Sequence, residues 1–151
     1  MRPAAFRRLI NLWPPFLFNG ITVMDIAQDW SAVAVRLRLR RWNRNYFGTH
    51  FGGNLFAMTD PFWALIAFHR LGAGYIVWDR AASIEFLTPG RSDVYAKFAM
   101  DAETVDGIRA QAAAGAKVLQ WFETDVSDER GEVIARVRKQ LYIRRKDRPT
   151  Q

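Results

Sequence analysis

The chain has 151 residues, half of them hydrophobic and 14% aromatic, so it can bury a core and lacks the composition of a disordered protein. It contains no cysteine, which excludes disulfide bonds, thiol nucleophiles and thiolate metal sites. With only two histidines, His50 and His69, and no suitably spaced carboxylates, we predict no metal site. The net charge of +7 favours anionic partners, namely nucleic acid, acidic lipid or a phosphate-bearing small molecule.

The first 18 residues carry early arginines and an apolar stretch, but Pro14 and Pro15 interrupt the stretch and no small-residue cleavage site follows. This is not the pattern of a signal peptide, and we expect a cytoplasmic protein. The longest apolar region, around residues 53–78, contains Asp60, His69 and Arg70, which argues against a membrane span. We therefore predict no stable membrane insertion.

The first predicted element is a short helix over residues 3–13, with Pro3 near its start and its apolar side chains on one side. Pro14 and Pro15 are predicted to end it. The apolar face either covers the core of the domain, which we favour because the face is small, or lies on a membrane surface.

Strand and helix signals follow one another along the rest of the chain. Residues 31–42, "SAVAVRLRLRRW", alternate aliphatic side chains with arginines and predict a half-buried strand. After a loop rich in Asn and Gly, "NLFAMTDPFWALIAFHRLG" is apolar nearly all round, which predicts a long buried helix ending at Gly72. An Ala-rich helix is predicted over residues 102–115. The further predicted strands cover residues 75–87, 94–100, 117–126 and 132–145, the last two as a hairpin. This pattern indicates an α+β fold whose antiparallel sheet curls around the helix.

The stretch "NYFGTHFGGNLFAMTD", residues 45–60, carries the main motif. Asn45 is followed six residues on by Phe51-Gly52-Gly53, and six further residues separate the glycines from Asp60. This spacing, with the strand "IEFLTPG", resembles the signature of PaaI-like acyl-CoA thioesterases of the hotdog superfamily. The stretches "NLWPPF", "GTHFGG" and "YIVWD" are most similar to those of an uncharacterised branch of this superfamily. The resemblance implies a single hotdog domain over residues 1–151, a curled sheet around a long central helix, with residues 1–19 as a short helical extension.

The same resemblance implies hydrolysis of acyl-CoA thioesters to free acid and coenzyme A, with no cofactor beyond the coenzyme A of the substrate. Asp60 would be the general base or nucleophile, while the amides of Gly52 and Gly53 and the side chain of Asn45 would polarise the thioester carbonyl. Asp79 takes the place of a small hydroxyl residue on the strand after the helix and is counted with the catalytic residues.

Phe51 stands where the family has a histidine, and His50 lies one place earlier. This departure keeps open an alternative, a non-catalytic module that binds an acyl group or acyl-CoA. The predicted partners are an acyl-CoA or related thioester and a second copy of the chain, in a homodimer that can assemble further into a tetramer. Basic strands interleaved with aliphatic residues argue against nucleic acid. The predicted substrate-binding residues are His50, Phe51, Phe56, Trp63, Arg91 and Arg138.

Two features have a second interpretation. The sequence "TDPF" fits a helix that begins at Pro61 with Asp60 as its N-cap. If the helix instead begins near Gly53, Pro61 lies inside it, frees the carbonyl of Ala57 and introduces a kink. The alternating arginines fit contacts with coenzyme A phosphates, but they also fit a solvated outer face of the sheet.

Overall fold

The computed structural model describes residues 1–113 and 115–146. Short helices precede a sheet whose strands are interrupted by two further helical regions. In chain order the elements are α1 (Pro3–Leu12), α2 (Pro14–Asn19), β1 (Ile21–Ile26), β2 (Ala32–Leu37), α3 (Gly52–Ala57), α4 (Phe62–Leu71), β3 (Tyr75–Phe86), β4 (Val94–Ala99), α5 (Ala102–Ala112), β5 (Val118–Asp128) and β6 (Val133–Arg145).

The six strands form one sheet in the order β1-β2-β4-β5-β6-β3, and every neighbouring pair is antiparallel. Helix α4 is buried against this sheet through five apolar residues, with Phe62, Trp63 and Ile66 among the least exposed in the chain. The predicted α+β architecture is confirmed. Among the described residues β3 pairs only with β6, so its other edge is free of a strand partner.

The central helical segment is broken, which corrects the prediction of one long helix. Helix α3 begins at Gly52, close to the second of the two alternatives, and ends before Pro61. Pro61 has no N–H to bond the carbonyl of Ala57, which accepts instead from the amide of Asp60 at 3.2 Å. Pro61 itself is the N-cap of α4, and no side chain caps that helix. The interpretation of Asp60 as the N-cap of this helix is therefore wrong, whereas the alternative start near Gly53 is close to the observed one.

The N-terminal region differs from the prediction in two places. Helix α1 ends at Leu12, one residue before the predicted end, and Pro14 and Pro15 begin α2 because proline suits the first helical positions. Strand β1 was not predicted from the sequence. A register shift between Val23 and Asp25 interrupts its alternation with period two.

Helix α1 covers one end of the core. Ile10 is buried and Phe6 packs against the core cluster. The side chain of Asn11 donates to the carbonyl of Val23 at 3.0 Å and accepts from the amide of Val23 at 2.7 Å, which fixes the helix to β1. In the described part of the chain, no helix has the length and apolar character needed to cross a membrane.

Candidate functional site

Asp60 and Asp79 meet at the ammonium group of Lys139. The Lys139 Nζ donates to Asp60 Oδ1 at 2.9 Å, to Asp79 Oδ2 at 2.8 Å and to the backbone carbonyl of Asp60. The side chain of Lys139 is 1% exposed, whereas those of Asp60 and Asp79 are 67% and 29% exposed. All three ammonium donors are therefore satisfied by protein oxygens, and the two carboxylates are held together at the surface. We refer to these three residues as the Lys139 cluster.

Lys139 was missed in the sequence analysis, although the sequence carries a signal for it. Along β6 the residues at odd positions from 135 to 143 are buried, and Lys139 is the charged member of a row that otherwise holds Ala, Val, Leu and Ile. A lysine in the apolar row of a strand must bury its ammonium group or disturb the strand. Such a position therefore predicts acidic partners for the lysine.

Asp79 is placed by an irregularity of β3. Asp79 pairs with Leu141 and Ala81 pairs with Gln140, so Arg80 is an extra residue in the ladder. A bulge of this kind changes the direction of neighbouring side chains and is common beside functional sites. Here the carboxylate of Asp79 reaches Lys139.

A separate cavity of about 500 Å³ lies at the loop that precedes α3. That volume falls within the range of about 300–1,000 Å³ that is typical of small-molecule sites. We call it the loop cavity. Its lining residues are Asn45, Phe47, Thr49, His50, Gly52, Leu55, Phe86, Leu87, Thr88, Pro89, Gly90 and Arg91. The wall thus combines an apolar surface with one cation.

Asn45 shapes the wall of the loop cavity through bonds within its own loop. Its Nδ2 donates to Thr49 Oγ1 at 2.8 Å and to the carbonyl of His50 at 3.2 Å. Its Oδ1 accepts from the amides of Phe47 and Thr49. Both amide hydrogens are used, so Asn45 has none left to polarise a thioester carbonyl in this arrangement. The predicted donor role is replaced by a loop-forming one.

His50 ties this loop to the turn after β3. Its amide donates to the carbonyl of Gly90 at 3.0 Å, and its Nε2 lies 2.7 Å from the carbonyl of Ser92, which can only accept. Nε2 therefore carries the proton, and the buried Nδ1 has no hydrogen-bond partner among the described residues. Burial lowers the pKa of His50 below its usual 6.5, against the opposing effects of the Ser92 carbonyl and the charge of Asp93.

This lowered pKa predicts a loss of stability in mild acid. As pH falls below 6.5, the unfolded chain takes up a proton that the folded His50 resists, so the free energy of unfolding decreases. The pKa of His69 is lowered in the same direction. We expect His50→Gln to reduce, but not abolish, the loss of stability between neutral pH and pH values below 6.5, measured by urea unfolding. An unchanged pH dependence would contradict this role of His50.

Gly52 and Gly53 lie at the first turn of α3, and aromatic rings cover both. A Cβ atom on Gly52 would lie 2.8 Å from Phe86 Cζ, and one on Gly53 would collide with the ring of Phe51. Neither glycine amide has a hydrogen-bond acceptor among the described residues. These two amides are therefore free to bind a ligand oxygen, and Gly52 borders the loop cavity.

The other predicted substrate-binding residues are scattered. Trp63 is buried in the core against Phe98 and Phe122, and Phe56 packs against the same core, so neither lines the loop cavity. Arg138 lies on the outer face of the sheet, 3.6 Å from Glu123 and above the ring of Trp121. This position fits the solvated-face interpretation of the arginines.

Within one chain the loop cavity and the two predicted catalytic aspartates lie in separate places. Asn45, His50, Gly52 and Arg91 line the loop cavity, whereas both aspartates lie at Lys139 and outside its wall. Helix α3 lies between the two places, and its six residues span about 9 Å. A single chain therefore does not bring the predicted base and the predicted carbonyl-binding amides into one pocket.

Comparison with protein families gives one match over almost the whole chain. The family model described as a domain of unknown function, DUF4442, matches residues 2–143. The chain belongs to the DUF4442 family. No curated protein sequence matches it.

Solved structures share the fold of this DUF4442 chain at low sequence identity. A Pseudomonas aeruginosa protein of unknown function, described as a probable thioesterase, has a TM-score of 0.86 at 19% identity, with 97% of each chain covered. A Haemophilus influenzae thioesterase has a TM-score of 0.70 at 15% identity, covering 100% of this chain and 96% of the other. A variant thioesterase from Pseudomonas aeruginosa has a TM-score of 0.68 at 10% identity, covering 94% of each chain. The domain has the hotdog fold.

Proposed function

We propose that this protein hydrolyses acyl-CoA thioesters, with Asp60 as the general base or nucleophile, in a site formed by two protomers. The fold shared with thioesterases supports the general reaction. The Lys139 cluster and the loop cavity supply the groups that the reaction requires.

The observation that carries the proposal is the state of the Asp60 carboxylate. One of its oxygens is held at 2.9 Å by Lys139, yet the side chain is 67% exposed. A general base or nucleophile needs this combination, because it must be oriented and must also reach water or substrate. Asp79 shares the ammonium and helps to hold Lys139 in place, so we assign it a positioning role rather than contact with the thioester.

The free edge of β3 provides a route to a shared site. If two β3 strands pair antiparallel about a two-fold axis at Ala82, Arg80 of one protomer lies opposite Ile84 of its partner, and Asp79 lies one residue further along. Phe86, which covers Gly52, follows Ile84 by two residues, about 7 Å along the strand. This pairing would set the Lys139 cluster of one protomer beside the loop cavity of the other.

In that shared site the loop cavity would hold the thioester and part of coenzyme A. The free amides at the start of α3 would bind the developing oxyanion, with Gly52 nearer the cavity. Arg91, at the wall, would meet a phosphate of coenzyme A. His50 holds the wall in shape through its two bonds to the turn after β3.

The pairing of β3 edges leads to a testable prediction. We expect a dimer in solution, and we expect Ala82→Arg to convert it to monomers and abolish turnover, because two arginines would meet near the axis. The matched control is Ala110→Arg, on the exposed face of α5. Analytical ultracentrifugation and thiol release measure the two results. An Ala82→Arg protein that stays dimeric and active would contradict the shared site.

One observation favours the second candidate, a module that binds acyl-CoA without turnover. The resemblance implies that Asn45 donates to the thioester carbonyl. In the structure both amide hydrogens of Asn45 form hydrogen bonds within its own loop. Assays with a panel of acyl-CoA thioesters of different acyl groups separate the two candidates. Binding without release of thiol would support the module, whereas thiol release above the uncatalysed rate would support the hydrolase. The chain has no cysteine, so it adds no background to a thiol assay.

A further inference from the structure

The surface formed by α1, α2 and the loop after β2 carries large apolar side chains that are about half exposed or more. Their exposed fractions range from 49% to 73%. A water-soluble surface rarely groups this many large apolar side chains. We call this surface the N-terminal patch; its members are Leu9, Leu12, Trp13, Leu17, Phe18 and Trp42.

Helical spacing and hydrogen bonds bring these residues close to one another. Trp13 follows Leu9 by one helical turn and is the cap shared by α1 and α2. The amide of Leu17 donates to the carbonyl of Trp13 at 2.9 Å, so these two residues are also one turn apart. The indole Nε1 of Trp42 donates to the carbonyl of Phe18 at 3.2 Å, which joins the loop to α2.

The loop that carries Trp42 is held firmly in this position. The buried side chain of Asn43 donates to the carbonyls of Asn19 and Arg38, both at 2.8 Å, and accepts from the amide of Arg40 at 2.7 Å. These bonds fix the loop against the end of α2. The N-terminal patch is therefore preformed and needs no rearrangement to present its apolar side chains.

Most of the net charge comes from the part of the sequence that contains the patch. Residues 1–59 contain eight arginines against Asp25 and Asp29, so they supply +6 of the net charge of +7. Arg8, Arg41 and Arg44 are exposed, and none forms an ion pair with another described residue. The apolar patch thus lies in the part of the chain that accounts for the positive net charge.

We propose that the N-terminal patch docks the protein reversibly on an anionic phospholipid bilayer. Trp and Phe side chains would enter the interfacial region, where amphipathic aromatic rings are favoured, while the arginines meet lipid phosphates. The inner side of α1, with Phe6 and Ile10, stays packed on the core, so docking leaves the fold intact. This arrangement is interfacial and requires no membrane-spanning helix.

The test is co-sedimentation of the full chain with vesicles of phosphatidylcholine alone or with added phosphatidylglycerol. We expect binding only to the anionic vesicles, and weaker binding as salt is raised. Each lost cation should weaken partition about fivefold, so Arg8→Gln/Arg41→Gln should bind roughly 25-fold more weakly. The charge-matched control, Lys117→Gln/Arg130→Gln, alters exposed cations outside the patch and should bind like the wild type.

A double variant that removes two apolar side chains of the patch, with a control outside the patch, completes the test. Leu12→Ser/Phe18→Ser should also release the protein from anionic vesicles, whereas Leu119→Ser, at an exposed position on β5, should not. Circular dichroism verifies that each variant is folded. No binding of the wild type to anionic vesicles, or equal binding of both arginine double variants, would overturn the proposal. A loss of oligomeric mass in Leu12→Ser/Phe18→Ser would also overturn it, because the patch would then be an interface between copies of the chain.

Discussion

Asp60→Asn should lower the turnover of acyl-CoA thioesters by about 100- to 10,000-fold, the usual effect of losing a general base. The amide keeps the shape of the side chain and can still accept a hydrogen bond from Lys139, 2.9 Å away in the native protein. It cannot take a proton from water or attack a carbonyl. Thiol release under saturating substrate measures the change.

Two comparisons make this result specific to Asp60. Asp79→Asn should lower turnover less, because Asp79 acts through the ammonium of Lys139 and leaves the Asp60 carboxylate in place. Asp101→Asn changes the residue that caps α5, where asparagine is an equally good cap, and should leave turnover unchanged. Full activity in Asp60→Asn would remove Asp60 from the mechanism.

Loss of both carboxylates of the Lys139 cluster should destabilise the fold far more than either single loss. In Asp60→Asn or Asp79→Asn the buried ammonium keeps one carboxylate partner. In Asp60→Asn/Asp79→Asn it keeps none, and an uncompensated buried charge costs about 3–5 kcal/mol of the free energy of unfolding. Urea unfolding of the single and double variants measures the non-additivity.

A matched cluster on the surface provides the control. Arg136 also has two acidic neighbours, Asp125 at 2.7 Å and Glu123 at 3.7 Å, but its side chain is 42% exposed. Removing both of these carboxylates should cost less than about 1 kcal/mol, because water screens the pair. Adding Lys139→Met to the destabilised double variant should restore most of the stability, since an apolar side chain of similar length suits the site. Additive single effects, or no rescue by Met, would contradict this role of Lys139.

The sequence predicted most of the fold because its patterns are local. Alternation of aliphatic and charged side chains located β2 and β6, and an all-round apolar pattern located α4. The sequence alone did not decide whether a new helix begins at Pro61 or a longer helix is kinked there, because proline is compatible with both. Strand β1 was missed because the register shift near Val23 interrupts the signal.

The candidate site was harder to predict because its contacts are distant in sequence. Lys139 lies 79 residues from Asp60 and 60 from Asp79, so no local spacing connects them. The motif placed Gly52 and Asp60 in one segment of the sequence. It could not show that the broken helix separates them within a protomer, because that depends on how Pro61 redirects the chain.

Complementation between two inactive variants tests the shared site most directly. Asp60→Asn removes the base, and Gly52→Leu pushes a side chain into the space of Phe86 beside the loop cavity. Each variant should be inactive alone. After mixing through brief denaturation and refolding, every mixed dimer would carry one intact site, with Asp60 from one protomer and Gly52 from its partner, and thiol release from acyl-CoA should return. If the mixture stays as inactive as its components while the wild type survives the same treatment with its activity intact, the shared catalytic site is contradicted.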